Sequence, residues 1–328
     1  MERIRFARVR VFARPLLGAL LLGVVAFAQA QAQDKYPSRP INFIVPWGAG
    51  GGADQTARVA AQLLEPILGV SIPVVNVPGA TGQSGMAKFM AAPPDGYTMQ
   101  IMTGETVALL ATRQPKFKFD DLIPLAVMIK TPSGFYVKED SPWKTWQDVE
   151  KAAKEKTLKV AITGFGSPDD LIINFFKHRG LKLQAVPYKP SERYTAVIAG
   201  HTDLLYEQPG DVKSFLSNKQ IRPVLFFYDK PFAPFEDVPV SGKLGMDITL
   251  PQVRIIVVKK GTDPKQVKVL EDAIAKIAAS QQYKDFLKTQ YGDPDSYMPG
   301  NQAFKFLEGW LDDARKVMKL TGMKQAKD

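Results

Sequence analysis

The stretch 41-INFIVPWGAGGGADQTARVA-60 decides the fold. Residues 41–45 are mostly apolar and strand-favouring. Pro46 ends the run, and four glycines fall within the five positions 48–52. A helical pattern begins at once, with Ala57, Ala60, Ala61, Leu64 and Leu68 on one face and Gly69 placed to stop it. Pro66 is expected to distort the last turn. Glycines between a strand and a helix mark a place where something approaches the backbone closely.

Strand and helix continue to alternate on either side of this unit. Further strands are expected at 72–77, 97–103, 158–163, 183–188, 203–207, 222–227 and 252–260. A second glycine loop, 78-PGATGQSG-85, follows the second strand. A third, 164-GFGSPDD-170, leads into a helix that ends near His178 and Gly180, with Ser167 as N-cap and Pro168 in the first turn. A short helix closes at Ala199, residues 228–251 hold four prolines and read as a long loop, and the last 65 or so residues look helical. Alternation of this kind predicts an α/β fold with parallel sheets covered by helices on both faces.

The first 33 residues, MERIRFARVRVFARPLLGALLLGVVAFAQAQAQ, pair five arginines with an apolar run of about a dozen residues, too short for a span of about 20. Small residues at 28, 30 and 32 complete the pattern of an export signal cleaved near Ala30 or Ala32. The expected location is the periplasm. Taking five arginines and Glu2 from the formal charge of +10 leaves about +6. The lysines are scattered, which argues against a nucleic-acid surface. With no cysteine, stability rests on an ordinary core rather than disulfides.

Enzyme chemistry finds little support. Residues 48–53, GAGGGA, satisfy a G-x-G-x-x-A pattern, but the second strand ends at Asn76 and Val77, without the acidic residue that a dinucleotide ribose requires. Neither glycine loop carries the lysine of a phosphate-binding P-loop. His178 and His201 are the only histidines, so a multi-histidine zinc site is excluded, and no G-x-S-x-G elbow occurs. No cofactor and no metal are expected. Glycine-rich turns entering helix N-termini do present unpaired N–H groups and the positive end of a dipole, which suits a carboxylate or phosphate. The plain alternative is that these glycines only permit tight turns. One loop alone would favour it; three at equivalent positions favour anion binding.

The motifs YPSRPINFIVPWGAGGGADQTAR, VVNVPGATGQSG, PPDGYT and VPYKP together resemble the periplasmic receptors of tripartite tricarboxylate transporters, the Bordetella-uptake-gene type, in order over essentially the whole chain after the signal. The resemblance implies a two-lobed Venus-flytrap fold crossed near 130–137 and 250–256. Its parts are a signal at 1–32, one lobe from 33–132 with 255–328, and a second lobe at 133–254. It implies that two loops grip a ligand carboxylate through backbone amides and ordered waters: Trp47, Gly48, Ala49, Gly50, Gly51 and Asp54 in the first, and Gly79, Ala80, Thr81, Gly82 and Gln83 in the second. Thr103, Glu105 and Thr106, then Gly164, Phe165, Gly166 and Ser167, and finally Glu207 would complete the cleft. Trp47, Glu105, Pro190, Glu207 and Arg254 depart from the usual pattern, and bear on which ligand is bound. Arg254 is expected to pair with the far end of a dianion, or else to neutralise Glu105 or Glu207 or point to solvent. Trp47 and Phe165 are expected to form a stacking wall. For Glu105 and Glu207 the choice lies between meeting a donor group on the ligand and serving structure, one capping a helix and the other solvated.

The implied function is capture of a small di- or aromatic carboxylate, with an amine, amide or hydroxyl besides, for a membrane permease. A monomer without catalysis is expected. A sensor that signals to a kinase, and a periplasmic enzyme on a related scaffold, are the alternatives.

Overall fold

The computed structural model describes residues 35–326, so the proposed export signal lies outside the described residues. From Arg39 onward the chain forms one unit built on two sheets. The first contains β1 (Asn42–Val45), β2 (Val74–Asn76), β3 (Thr98–Thr103), β4 (Leu122–Thr131), β10 (Gln252–Lys259) and β11 (Met298–Pro299) in the order β11-β4-β10-β3-β1-β2. The second contains β5 (Ser133–Lys138), β6 (Leu158–Ile162), β7 (Leu183–Pro187), β8 (Leu204–Glu207) and β9 (Ile221–Phe227) in the order β7-β6-β8-β5-β9.

Parallel pairing holds for β1 with β2 and β3, and for β6 with β7 and β8. The strands that cross between the sheets add antiparallel pairs, β10 on β3 and β4 and β5 on β8 and β9. These crossing strands are almost wholly buried. They read as apolar runs without period, which is why β4 and β5 carried no distinct strand signal. Only Pro132 separates β4 from β5, and the segment between β9 and β10 makes the return.

Ten helices cover the sheets among the described residues: α1 (Gly52–Leu68), α2 (Gln83–Ala91), α3 (Gly104–Thr112), α4 (Trp146–Glu155), α5 (Pro168–His178), α6 (Pro190–Ile198), α7 (Lys213–Ser217), α8 (Pro264–Ala279), α9 (Gln281–Thr289) and α10 (Gly300–Thr321). In α1 the buried face is Ala57, Ala60, Ala61 and Leu64, and Gly69 ends the helix at φ 72° with its N–H on the Glu65 carbonyl. Pro66 does not stop it, because only the two residues after the proline remain to the end. Helix α10 packs against β4 and α3 and also against α5, which follows β6 of the second sheet. Its Trp310 indole donates to the Pro251 carbonyl at 2.9 Å, beside the start of β10.

Candidate functional site

A cleft of about 1050 Å³ opens where the C-terminal ends of β1, β2, β3, β6, β7 and β8 meet, the place where open α/β sheets bind ligands. The first glycine loop contributes Trp47, Gly48, Ala49, Gly50 and Gly51 to the wall, followed by Gly52 and Ala53 of α1. As the first residues of a helix, Gly52 and Ala53 have no intrahelical partner for their N–H groups. Asp54 does not line the cleft. It lies buried behind the loop and accepts from Gly50 N at 2.9 Å, Asn76 Nδ2 at 2.9 Å and Arg58 Nε at 2.9 Å. Burial pushes its carboxyl up, but bonds from Arg58, Gly50 and Asn76 outweigh that and hold it below the usual range. Asp54 therefore fixes the loop rather than touching what the loop holds.

The second loop is built the same way. Gly82 N donates to the Gly79 carbonyl at 3.0 Å, and Gln83 N to the Ala80 carbonyl, so both amides are spent inside the turn. Gly82 and Gln83 lie off the wall, whereas Gly79, Ala80 and Thr81 line it. Ala80 and Thr81 both adopt left-handed backbone, φ 48° and 54°, which side-chain-bearing residues avoid. On β3, Thr103 lines the cleft and holds the Trp47 indole at 3.2 Å. Thr106 sits one turn behind and caps the helix by accepting from Thr103 N at 2.8 Å.

The third loop corrects the expectation. Gly164, Phe165, Gly166 and Ser167 do not line the cleft; Thr163 does. The reason lies in the two acids that open α5. Asp169 takes Thr163 N at 2.5 Å and Asp170 takes Gly166 N at 2.8 Å, while Ser167 N turns back to the Gly164 carbonyl. Thr112 and Arg113 at the end of α3 donate to the carbonyls of Gly166 and Phe165, at 2.7 and 3.2 Å. Phe165 projects outward, half exposed. The aromatic residues that join Trp47 on the wall are Tyr188 and Tyr194.

The charged residues are also partnered differently from expectation. Arg254 lines the cleft but pairs with Asp211, a residue the sequence reading passed over, at 2.9 Å, rather than with Glu105 or Glu207. Glu105 lies in the first turn of α3 and accepts from Gln252 Nε2 at 2.6 Å. Glu207 is buried rather than solvated and meets Arg193 at 2.8 Å. Burial pushes the Glu207 carboxyl up against the downward pull of Arg193. Tyr188 is the tyrosine of the motif VPYKP, Arg193 and Tyr194 follow that motif, and Gln208 and Asp211 follow β8. The signal for all five was their place just beyond the ends of parallel strands.

Burial also pushes Asp169 from 3.8 up to about 7. The folded protein thus holds a proton that the unfolded chain releases, so stability is full below about pH 4 and falls as pH rises towards 7. Urea unfolding should show about 2 kcal/mol less stability at pH 7.5 than at pH 5.5 from this group. Asp169→Asn should remove that difference; an unchanged slope in the variant would exclude Asp169 as its source.

The family model described as "Tripartite tricarboxylate transporter family receptor" matches residues 56–323. A Cupriavidus necator protein, "UPF0065 protein in gbd 5'region", is 31% identical over 93% of this chain and 94% of its own. Among solved structures, a TctC solute-binding protein from Polaromonas, without ligand, is 27% identical at a TM-score of 0.67, covering 87% of this chain and 99% of that one. An R. palustris protein solved with adipate shares the fold at a TM-score of 0.81 and 23% identity, over 89% and 99% of the two chains.

Proposed function

Because the chain belongs to the tripartite tricarboxylate transporter receptor family, we propose that its cleft captures a small organic acid in the periplasm and presents it to the membrane permease of a tripartite transporter. The wall residues of the first two glycine loops take one carboxylate through backbone N–H groups, directly or through water. The observation that carries this reading is the left-handed pair Ala80 and Thr81. Each costs on the order of 1 kcal/mol and persists only where its surroundings impose it. The turn has consumed the amides of Gly82 and Gln83, leaving those of the two strained residues on the cleft wall.

The protein acts as a monomer with one lobe formed by 33–132 and 255–328 and the other by 133–254. Ligand held first by the glycine loops favours the closed arrangement through its added contacts to residues such as Thr163 and Tyr194. Trp47, Tyr188 and Tyr194 suit an aromatic or aliphatic body, and Glu105 suits a hydroxyl, amide or amine at the other end. Adipate, the ligand in the R. palustris structure, is of a size that such a cleft admits.

A calorimetric screen of carboxylic acids against their methyl esters tests the reading. Esterification removes the charge and one acceptor, and should weaken every hit at least about 100-fold, or about 2.7 kcal/mol. Esters that bind as well as their acids would refute the carboxylate grip.

A further inference from the structure

The cleft wall beside the start of α1 already contains an anion. Asp211, in the loop after β8, sets both carboxylate oxygens on Arg254 Nη2, at 2.9 and 3.0 Å. Arg254 is buried on β10, level with Thr103 at the end of β3, and its other amino group reaches Gln290 Oε1 at 3.4 Å. The pair also lies against the start of α1. A methyl group built on Gly52 would stand 1.9 Å from Arg254 Nη2 and 2.2 Å from Asp211 Oδ1, so the bare backbone of the helix N-terminus faces the pair directly. The guanidinium and the positive helix end, the two features that would attract a second ligand carboxylate there, are both shared by Asp211.

The loop that carries Asp211 is firmly seated. A methyl group on Gly210 would lie 2.6 Å from the Gln290 carbonyl oxygen, and Gln290 is in turn hydrogen-bonded to Gln55 at 3.1 Å. Nor does another cation stand free on the wall among the described residues. Arg193 is matched by Glu207 at 2.8 Å, and the largely exposed Lys189 by Glu192 at 3.6 Å. Glu105 is a further carboxylate, held only by the Gln252 amide. A ligand with two carboxylates would bring its second charge to a wall whose cations are taken and whose remaining charge is negative.

We propose that Asp211 is a built-in carboxylate that fills the second anion position of the cleft, so that this protein selects acids with one carboxylate and an uncharged or donor-bearing far end. The proposal rests on the carboxylate reading above and narrows it. Asp211 acts as a specificity determinant by rejection: it excludes diacids whose second carboxylate would have to take its place on Arg254 and the start of α1.

Calorimetry with two matched pairs, glutarate against its monoamide and adipate against its monoamide, tests this. The wild type should bind the better-fitting monoamide at least tenfold more tightly than the diacid of the same length. Asp211→Asn frees Arg254 and should reverse the order, with the diacid gaining at least tenfold. Asp211→Asn/Arg254→Gln removes both charges, and should narrow the gap to less than threefold even if the single variant does not fold. A wild type that binds carboxylates without discriminating within the pairs overturns the Asp211 inference alone, as does a gap unchanged in either variant. A wild type that binds no carboxylate overturns the reading of the cleft and this inference with it.

Discussion

Replacing Gly82 with valine should abolish carboxylate binding, a loss of at least about 100-fold or about 2.7 kcal/mol. Gly82 does not line the cleft, so the effect is indirect. Its backbone has φ 90°, where a β-branched residue is strained by about 1–2 kcal/mol. Its first side-chain atom would already stand 3.3 Å from the Thr106 methyl and 3.5 Å from the Trp47 ring, and the two branches of valine would press further into both. The turn must then rotate, and it carries Ala80 and Thr81 with it. Gly51→Ala is the matching control. It has φ −75° and its nearest neighbour, the Gly48 carbonyl oxygen, would be 3.9 Å away, so stability should change by less than about 0.5 kcal/mol. Titration of both variants with the best acid, alongside their melting curves, decides the matter. Full affinity in Gly82→Val would remove the second loop from the binding site.

The second large effect concerns Arg193. Its side chain is 7% exposed and that of its partner Glu207 is 1% exposed. Arg193→Met leaves a carboxylate in a dry environment without its guanidinium, which typically costs about 3–5 kcal/mol. The sign with pH follows from Glu207. Burial already pushes its carboxyl up, and loss of Arg193 removes the chief downward pull, so the folded variant holds a proton that the unfolded chain has lost. The deficit should grow as pH rises above about 7, where the wild-type Glu207 gives up its proton to pair with Arg193 and the variant must hold or lose it unpaired, and should be smaller and level below that. Arg193→Met/Glu207→Gln should recover most of the stability at pH 8. Urea unfolding at pH 8 and pH 5 measures both claims; a loss below about 1 kcal/mol at pH 8 would show that the pair does not hold the fold.

Local chemistry made the glycine loops legible. A proline-terminated apolar run, four glycines and an alanine-faced helix are all visible within twenty residues, and α1 ends at the glycine that a left-handed stop requires. The same local reading failed at the third loop because it stopped at the glycines. Asp169 and Asp170, three and four positions after Gly166, take the amides of Thr163 and Gly166 that a bound anion would need. The first loop contains the same device in Asp54, which takes one amide of that loop, that of Gly50. Ion-pair partners were not legible at all. Nothing near Arg254 in sequence points to Asp211, 43 positions earlier and in the loop after β8 of the second sheet. Their meeting depends on the register of β10 against β3 and on a loop that only the second sheet can place.

The seam along α10 bears on how much freedom the open form has. Two strand crossings, at Pro132 and before Gln252, would by themselves allow twisting as well as bending. The long helix touches elements of both sheets, and the bonds from Thr112 and Arg113 to the third loop lie near it. A packing contact beside the two crossings should limit twisting in the closure proposed above more than it limits bending. A receptor limited in this way would have fewer open shapes to lose on closing. Less of the ligand's interaction energy is then spent on ordering the protein, and more of it appears as affinity.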